Sequence, residues 1–598
     1  MLKKNRYFLT IVSMIGLLFC SSVIWADDSD NNVSEEEVVV TASRTAEPES
    51  QAPGKTEVIT KEDIEQSGAT TVAEALTDAG ETISTYGGQS GIANIQLDGS
   101  GSGHTLVLIN GVPANTGGVD SVDLRYFPTA GIQRIEVAHG PLSALYGSSA
   151  MGGVVNIITD LTGEIKNEVS LSGGSFNTRG LDYLCQQTNW GFAVGGQKTD
   201  GYLDYDENYA NYGMGQYNFF QSNDEYLKLY WQILSTHGQF PGSSQYPEKE
   251  LQAEQSSQIN LNGCNEIWGG KWEYKIYSQY LDNQFDYVDY NSQSEHQTLK
   301  NGLDAAGVYN FGSHELISGA TLKYDHFDST NSGTHSQSSE ALYVQDSWSF
   351  ANRFQLVSGL RWDQSSDFSS PISPRISLVD AITDQFSIKM GYGRTFTAPT
   401  IDDLYWSDAY DQGNPNLKAE TGGRYDLIGE WKRNQQSLTV DIFQSNLHDG
   451  IVWEEDSGVY TPVNVDRMRI QGISLQWGKT WLDRLTTSIG YNWLDKEGYD
   501  ATSREYNEDL NTFGKQQFNV GCNFKYYSWV YGMNWYFVRE RSDNMANYDV
   551  LNLNVKYQMN QHLSFAVAAD NSTDEYYEVN EGYPMPGRSY TLSTKYTF

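Results

Sequence analysis

Apolar and polar residues alternate along most of this chain, and the pattern is clearest at its end. Every second residue from 590 to 598 is Tyr, Leu, Thr, Tyr or Phe, and the residues between them are Thr, Ser or Lys. A period of two places the two sets on opposite faces of a β-strand. The same alternation occurs upstream, in residues 190–194, 485–493, 551–557 and 563–569. The pattern predicts a protein built mainly of strands with one apolar face.

The connections between the predicted strands are of two kinds. Short ones occur at residues 350–353, 433–437, 479–484 and 559–562, and long polar ones at 327–338, 406–421, 453–468 and 495–512. Short turns at one rim and long loops at the other are typical of transmembrane β-barrels, whereas a soluble β-sandwich has no reason to separate them. At about 20 residues for each strand with its connection, residues 161–598 predict about 22 strands. The predicted fold class is therefore a membrane all-β protein, an antiparallel transmembrane β-barrel.

Residues 52–160 differ from the rest, because they combine a helical pattern with short strands. Val72, Ala75 and Leu76 fall on one face of a helix, and two short apolar runs follow between glycine-rich turns. This combination predicts a compact α+β domain. A barrel of about 22 strands has a lumen too wide for its own side chains to fill. We therefore expect residues 52–160 to form an N-terminal plug inside the barrel of residues 161–598.

The first residues have the features of a secretory signal peptide. Three cations within the first six residues precede an apolar run that ends near residue 19, and Ala26 fits the small residue expected before a cleavage site. The alternative, a transmembrane helix, is disfavoured because the run is too short. We predict a signal peptide over residues 1–26 and a periplasmic segment over residues 27–51.

Composition supports a membrane barrel and disfavours two other classes of protein. The chain has 40 Tyr, 15 Trp and 23 Phe, which suits a barrel with aromatic girdles at both rims. The net charge is −37 at pH 7, whereas nucleic-acid binding needs basic patches. The nine histidines are scattered and no catalytic motif is present, so the sequence does not predict an enzyme.

A short extended segment precedes the plug. Val38, Val39, Val40, Thr41 and Ala42 follow three glutamates, and such a β-branched run can add a strand to the edge of a partner's sheet. The segment resembles the TonB box of TonB-dependent outer-membrane receptors. Further motifs similar to those of this family are LVLINGV at 106–112, IQRIEV at 132–137, GGVVNIIT at 152–159 and GNPNLKAE at 413–420. The likeness thus spans the plug and the barrel.

The resemblance implies where the protein lies and how it works. Receptors of this family lie as monomers among the lipids of the outer membrane of diderm bacteria and import scarce, bulky nutrients. A TonB energy-transducing protein binds the TonB box and pulls on the plug. A passive porin or an adhesin is the alternative from another class, and the TonB box and the plug argue against both.

Two plug motifs depart from the family pattern. The arginine of the usual IRG motif is replaced by Asp98, and that of the usual RGP motif by His139. In the family these arginines face carboxylates of the barrel wall. We therefore expect the ion pairs between plug and wall to be rearranged in this chain.

The ligand is inferred from residues 119–128, which resemble a plug segment of receptors for cobalamin (vitamin B12). A ferric siderophore is the alternative, and haem is disfavoured because residues 400–413 lack the histidine usual in haem receptors. Cobalamin exposes amides and a broad ring edge, which amide, hydroxyl and aromatic side chains can contact. The residues expected to bind the substrate are Tyr86, Gln89, Ser90, Asn94, Asn115, Thr116, Tyr405 and Trp406.

The resemblance to cobalamin receptors also implies calcium in the acidic outer loops. Asp204, Asp206, Glu207 and Asn208 offer the hard oxygen ligands that calcium prefers. The alternative is an acidic loop that is simply hydrated. No cofactor is expected to be required.

Overall fold

The computed structural model describes residues 38–87, 91–115, 118, 120–125, 127–222, 225–366, 371–500, 505–509, 513–542 and 545–598. The predicted signal peptide, and the predicted periplasmic segment as far as residue 37, lie outside the described residues. Within these ranges, no helix is both long and apolar enough to cross a membrane.

The N-terminal part of the chain folds into a small α+β unit, the plug. Its helices are α1 (Lys61–Ser67), α2 (Val72–Ala79) and α3 (Ser143–Tyr146). Its strands are β1 (Val38–Val39), β2 (Glu47–Pro48), β3 (Thr56–Thr60), β4 (Thr82–Thr85), β5 (Ala93–Gln96), β6 (Thr105–Ile109), β7 (Val112–Pro113), β8 (Ile132–His139) and β9 (Gly153–Thr159). The central sheet has the order β3-β8-β9-β6-β7, with β6 and β9 parallel. The strand pairs β1–β2 and β4–β5 form two further small sheets.

Local sequence signals explain the two longer plug helices. Thr60 and Thr71 cap α1 and α2, each in a reciprocal pair of hydrogen bonds with the acidic residue three positions later. Gly68 and Gly80 end these helices in left-handed backbone, with φ of +85° and +98°. Leu76, on the predicted apolar face of α2, is fully buried in the plug core.

The rest of the chain forms a closed antiparallel barrel in which neighbours in sequence are neighbours in the wall. Its strands are β10 (Lys166–Gly174), β11 (Arg179–Gln186), β12 (Trp190–Thr199), β13 (Asn208–Gln221), β14 (Tyr226–Gly242), β15 (Pro247–Ile267), β16 (Gly270–Tyr287), β17 (Ser292–Phe311), β18 (His314–Ser329), β19 (Gly333–Phe350), β20 (Phe354–Ser365), β21 (Ile372–Thr383), β22 (Phe386–Thr397), β23 (Glu420–Arg433), β24 (Gln436–Asp456), β25 (Val459–Trp481), β26 (Leu485–Asp500), β27 (Glu505–Asp509), β28 (Gln516–Tyr526), β29 (Trp529–Arg539), β30 (Tyr548–Gln558), β31 (Leu563–Asp570) and β32 (Ser589–Thr597). A short helix, α4 (Ile401–Tyr405), lies between β22 and β23.

The wall has 22 strand positions, because β27 and β28 both pair with β26 at different heights. The prediction of about 22 strands with an N-terminal plug is therefore confirmed. β32 closes the barrel against β10, and the backbone N–H of Phe598 donates to Asn167 O at 2.9 Å. Closure gives each of the 22 strand positions in the described wall two neighbours, as a sheet that spans a membrane requires.

The last strand shows how the period of two maps onto the barrel. Tyr590, Leu592 and Phe598 are 51%, 56% and 56% exposed, as expected for side chains on the lipid face. Lys595 lies on the opposite face, where its Nζ is 3.1 Å from Glu168 Oε1. The alternation that predicted a strand therefore separates lipid from lumen.

Three of the four predicted long loops are largely strands in the structure. β24 and β25 continue as a hairpin through most of residues 453–468, and β18 and β19 do so through most of residues 327–338. β26 and β27 pair through residues 497–500 and 505–509 of the third. Beyond the membrane both faces of a hairpin meet water, so the apolar alternation fades while the backbone pairing continues. The prediction of loops was wrong there, because the alternation of apolar and polar residues marks a strand only where one of its faces is apolar.

Candidate functional site

The N-terminal segment (residues 38–43) is docked against the plug. β1 pairs with β2, and Val39 and Thr41 are each 1% exposed. Thr41 donates its backbone N–H and its hydroxyl to Glu136 Oε2 on β8, at 2.9 and 2.6 Å, and Val40 N–H donates to the same oxygen at 3.1 Å. The donors that an added strand would need are therefore occupied. The role of this segment as a TonB box stays a prediction.

Arg44 follows this segment and anchors it to the barrel wall. Its Nη1 lies 2.8 Å from Asp304 Oδ1 on β17, and its Nη2 donates to Leu145 O at 2.8 Å. The rings of Tyr146 and Tyr343 lie 4.7 and 4.5 Å from the guanidinium, in cation–π contact. Sequence reasoning did not single out Arg44, because its ionic partner is 260 positions away.

Four basic side chains of the wall, here called the basic arc, hold the plug by its backbone. The arc consists of Lys300 on β17, Arg361 on β20, Arg375 on β21 and Lys389 on β22. Their acceptors are the carbonyl oxygens of Asn115, Leu145 (3.2 Å), Ala42 (2.8 Å) and Glu49 (2.9 Å), respectively. Buried cations need such partners. Because the acceptors are backbone groups, this grip does not depend on plug side chains.

The two departures from the family motifs meet in one buried ion cluster. Arg424 on β23 places Nη1 2.7 Å from Asp98 Oδ2. His139 places Nδ1 3.2 Å from the same oxygen and Nε2 3.2 Å from Glu81 Oε1. The buried Lys55 interacts with both of these carboxylates. The rearrangement expected from the sequence is thus a reversal, in which the plug supplies the acid and the wall supplies the arginine.

The charge of His139 depends on this cluster. Burial, the largest influence, and Lys55 lower the pKa of His139, but Asp98 and Glu81 outweigh them and raise this pKa to about 9. The usual pKa is about 6.5. The folded state holds the proton of His139 more tightly than the unfolded state does. Protonated His139 therefore stabilises the folded state fully below about pH 6.5, and this stabilisation is lost as the pH rises through about 9. A shift of this size corresponds to about 3 kcal/mol.

We expect the attachment of the plug to the wall to weaken as the pH rises from 6.5 to 9.5. His139→Arg should remove most of this pH dependence, because arginine keeps its charge. Ser474→Cys, beside the plug on β25, provides a reporter in both backgrounds. The measurement is the urea concentration at which this cysteine becomes reactive, at each pH. An equal loss of urea resistance in the His139→Arg background would assign the pH dependence to other groups.

Near the outer rim, Tyr86 of the plug meets an aromatic group of the barrel. Its ring packs edge-on against Tyr583 with centroids 5.3 Å apart, and Tyr583 stacks on Phe240 at 6.1 Å. Asn580, in the same barrel loop as Tyr583, donates to Thr85 O at 2.8 Å. Tyr86 itself is 41% exposed. Plug and barrel loops therefore form one wall that offers aromatic and amide groups, and neither Tyr583 nor Asn580 was predicted.

The other plug residues predicted to bind substrate differ in their availability. Asn94, on β5, has a buried Oδ1 with no hydrogen-bond partner in the described part of the chain. Asn115 is 3% exposed, and its amide accepts from Val107 N–H at 2.8 Å and donates to Thr105 O at 3.0 Å. These bonds commit the Asn115 side chain to the shape of its own loop. Gln89, Ser90 and Thr116 lie outside the described residues.

Tyr405 and Trp406, at the end of α4, form a second aromatic group. Tyr405 stacks on His335 with centroids 3.8 Å apart, and Trp406 stacks on His296 at 5.4 Å. Trp406 also donates from Nε1 to Asp408 Oδ2 at 2.8 Å. The two histidines were missed because they belong to other strands, and their positions in the sequence carry no motif.

The predicted calcium ligands have partners within the protein. Asp206 is 1% exposed, and its Oδ2 accepts a backbone N–H from the turn before it at 3.1 Å. Glu207 forms an ion pair with Lys198. Asn208 is buried at the start of β13, and Asp204 is exposed. Calcium binding here stays a prediction, and it would require Glu207 to leave Lys198.

One other group of potential metal ligands occurs in the described ranges. Ligand atoms of Glu57, Glu81 and His139 lie within 4.8 Å of one another. Lys55 lies buried beside them and already supplies positive charge to Glu57 and Glu81. A metal ion would have to compete with this cation and with the proton on His139. The arrangement therefore favours an internal ion cluster over a metal centre.

Comparison with known proteins agrees with this architecture. Residues 161–572 match the family model "TonB dependent receptor-like, beta-barrel", and residues 48–154 match the "TonB-dependent Receptor Plug Domain". The chain is 27% identical to the vitamin B12 transporter BtuB of Photobacterium profundum, and the match covers 99% of each protein.

Solved structures show the same fold. The siderophore receptor PirA of Pseudomonas aeruginosa has a TM-score of 0.73 at 19% identity, covering 92% of this chain and 100% of the other. The siderophore receptor PirA of Acinetobacter baumannii has a TM-score of 0.75 at 18% identity, covering 91% and 98%. At this identity the likeness extends to the fold alone. The family models span most of the chain, so this protein belongs to the family of TonB-dependent receptors, the plugged β-barrels that transport substrates across the outer membrane.

Proposed function

We propose that this receptor imports cobalamin, with energy from the TonB protein acting on residues 38–42. The observation that carries the proposal is the match to a vitamin B12 transporter over 99% of both chains. The match runs through both the plug and the barrel, so it includes the loops of both, where ligands bind in this architecture.

The chemistry of the outer wall favours a ligand without strong negative charge. Tyr86, Tyr583 and Asn580 offer ring faces and an amide. The second aromatic group has carboxylates beside it, at Asp402 and Asp408, and burial raises the pKa of Asp402 to about 6. An anionic ferric siderophore would meet repulsion from these carboxylates, whereas the amides of cobalamin can accept or donate hydrogen bonds.

A chain of contacts links the outer wall to the N-terminal segment. Tyr86 directly follows β4, and Glu81 directly precedes it. Glu81 contacts His139 at the end of β8, and Glu136 on the same strand holds Thr41. We propose that ligand binding shifts β4 and, through β8, loosens the segment. A ligand can act in this way only if it binds the released state more tightly than the docked state.

The test is equilibrium binding of cyanocobalamin to the purified receptor, beside ferric enterobactin. We expect saturable binding of cyanocobalamin alone. Tyr86→Ala should weaken it by about tenfold, or about 1.4 kcal/mol, because one aromatic contact is lost. Tyr527→Ala, in a short turn at the opposite rim and 89% exposed, is the matched control and should bind normally. Binding of ferric enterobactin without cyanocobalamin would contradict the proposal.

The same titration tests the calcium prediction. If Asp204, Asp206, Glu207 and Asn208 hold calcium, adding it should raise the affinity for cyanocobalamin, because the ion bridges carboxylates that otherwise repel one another. Asp204→Ala combined with Asp206→Ala should remove that gain and leave calcium-free binding unchanged. Equal affinity with calcium and with chelator would reject the metal site and leave the ligand assignment intact.

A further inference from the structure

The outward face of β22 to β26 changes from apolar to charged along the strands. Lys389 and Arg424 contact the plug, so the residues beside them in the sequence point away from the lumen. One outward row, in which each residue lies directly opposite the next across the strands, is apolar and consists of Met390, Leu427, Ile442, Ile473 and Trp493. Met390 is 53% exposed. This row therefore has the character of a surface that faces the hydrocarbon of the membrane.

The next outward row lies nearer the outer rim, where β22 leads into the long connection that holds α4. It consists of Tyr392, Tyr425, Gln444, Gln471 and Asp495. The rings of Tyr392 and Tyr425 lie 4.7 Å apart, and Gln471 Nε2 donates to Gln444 Oε1 at 2.8 Å. Tyrosine is enriched where the hydrocarbon gives way to headgroups. We therefore expect the boundary of the outer leaflet at this row.

The third outward row is charged and is here called the headgroup row. It consists of Arg394, Gly423, Asn446, Arg469 and Glu497. Arg469 forms an ion pair with Glu497. Arg394 is exposed, and no carboxylate of the described ranges pairs with it. The tilt and rise of the strands place this row about 10 Å beyond the apolar row, at the depth of lipid headgroups.

A second unpaired cation lies just beyond the headgroup row. Arg467 is on the outward side of β25, opposite His448 of β24, and it is exposed. Its guanidinium lies 5.4 Å from the ring centre of Tyr499, and it has no ion pair within the part of the chain that the structure describes. The whole chain has 76 acidic and 39 basic residues. Two arginines without a carboxylate partner on one face of such an acidic chain indicate an anion from outside the protein.

The surface between these arginines is open. Gly423 and Asn446 are the only residues between the two arginines of the headgroup row. Three strand spacings of about 4.8 Å separate the backbones of Arg394 and Arg469 by about 14 Å. Arg467 follows the same strand as Arg469, so it stands at a similar lateral distance from Arg394. The gap can admit the sugars of a lipid headgroup that carries a phosphate on either side.

We propose that this face binds a phosphorylated glycolipid of the outer leaflet, with one phosphate at Arg394 and a second at Arg467. The planar guanidinium can donate two parallel hydrogen bonds to a phosphate, and such charged bonds are stronger than neutral ones. The acyl chains lie on the apolar row, with the tyrosines at the boundary. A lipid held here fixes the outer end of β22, which leads into α4 and its aromatic group. The site does not depend on which ligand the receptor transports.

The test is titration of the purified receptor in detergent with lipid A that carries two phosphates, followed by native mass spectrometry. We expect one lipid A molecule to bind the parent protein. Arg394→Gln combined with Arg467→Gln should weaken this binding at least tenfold, because two charged contacts are lost. Arg353→Gln is the matched control, since Arg353 is 45% exposed at a short turn of the opposite rim, and it should bind lipid A normally.

A second comparison needs no variant. Lipid A from which both phosphates have been removed should bind the parent protein at least tenfold more weakly than the intact lipid. Inorganic phosphate at the same concentration should not displace the intact lipid, because it lacks the acyl chains that the apolar row contacts. Equal binding of the two lipids, displacement by inorganic phosphate, or unchanged affinity in the double arginine variant would each overturn the proposal.

Discussion

Deletion of residues 38–42 is expected to abolish uptake of the ligand and to leave its binding at the outer face unchanged. The segment touches no outer loop among the described residues, since its partners are Glu136 and Tyr146 of the plug and Arg375 of the wall. We expect transport to require it, because the proposed inner-membrane partner can pull only on a strand that it can pair with. Uptake and binding, measured on the same cells, separate the two effects.

Val39→Pro tests whether strand pairing by this segment is required, because it removes the backbone N–H of residue 39. Proline lacks the N–H that an added strand needs, so uptake should fall as far as in the deletion. Val39→Leu keeps the N–H and is the matched control, which should transport normally. Normal uptake by both the deletion and the proline variant would show that energy does not enter the protein through this segment.

Loss of the Arg44 anchor is expected to release the N-terminal segment without any ligand. Arg44→Ala removes the cation bonded to the buried Asp304 and leaves it the hydroxyls of Thr321 and Tyr343, and removing one partner of a buried pair costs about 3 kcal/mol. That free energy corresponds to a rise of about a hundredfold in the released fraction. A cysteine placed by Val39→Cys, at a position 1% exposed in the docked state, reports release through its rate of thiol modification.

The control uses a pair of the same chemistry in an exposed position. Arg353 pairs with Asp380 at a short turn, and its side chain is 45% exposed. Because exposed pairs contribute little, Arg353→Ala should leave the modification rate unchanged. The exchange Arg44→Asp with Asp304→Arg should slow modification again. Equal rates in Arg44→Ala and the parent protein would show that the other contacts of the segment, with Glu136, Tyr146 and Arg375, hold it without Arg44.

The sequence predicted the barrel and the plug because both depend on local patterns. Alternation in residues 590–598 marks a strand that separates lipid from lumen, and the face of Leu76 marks a helix against a core. The contact between Arg44 and Asp304 has no such signature, since 260 positions separate the partners. The substitutions at Asp98 and His139 were visible in the sequence, and they indicated that the ion pairs had changed. The partner Arg424 emerged only once β23 was placed beside the plug.

The substrate site was predicted less completely than the fold. Tyr86 was predicted, but its partner Tyr583 belongs to a loop almost 500 positions later, with no motif to connect them. Asn115 has the right chemistry for a ligand, yet the structure uses its amide to shape a turn. Polar residues in glycine-rich loops serve both purposes, and only the direction of the side chain distinguishes them.

The initial rate of cyanocobalamin uptake, with and without a proton-motive force, tests the central claim most directly. The claim is that this receptor moves cobalamin through a plugged barrel by pulling on residues 38–42. We expect accumulation in energised cells, and surface binding without accumulation after the force is collapsed. Entry at the same rate in both conditions would contradict the claim, because the barrel would then conduct its ligand passively.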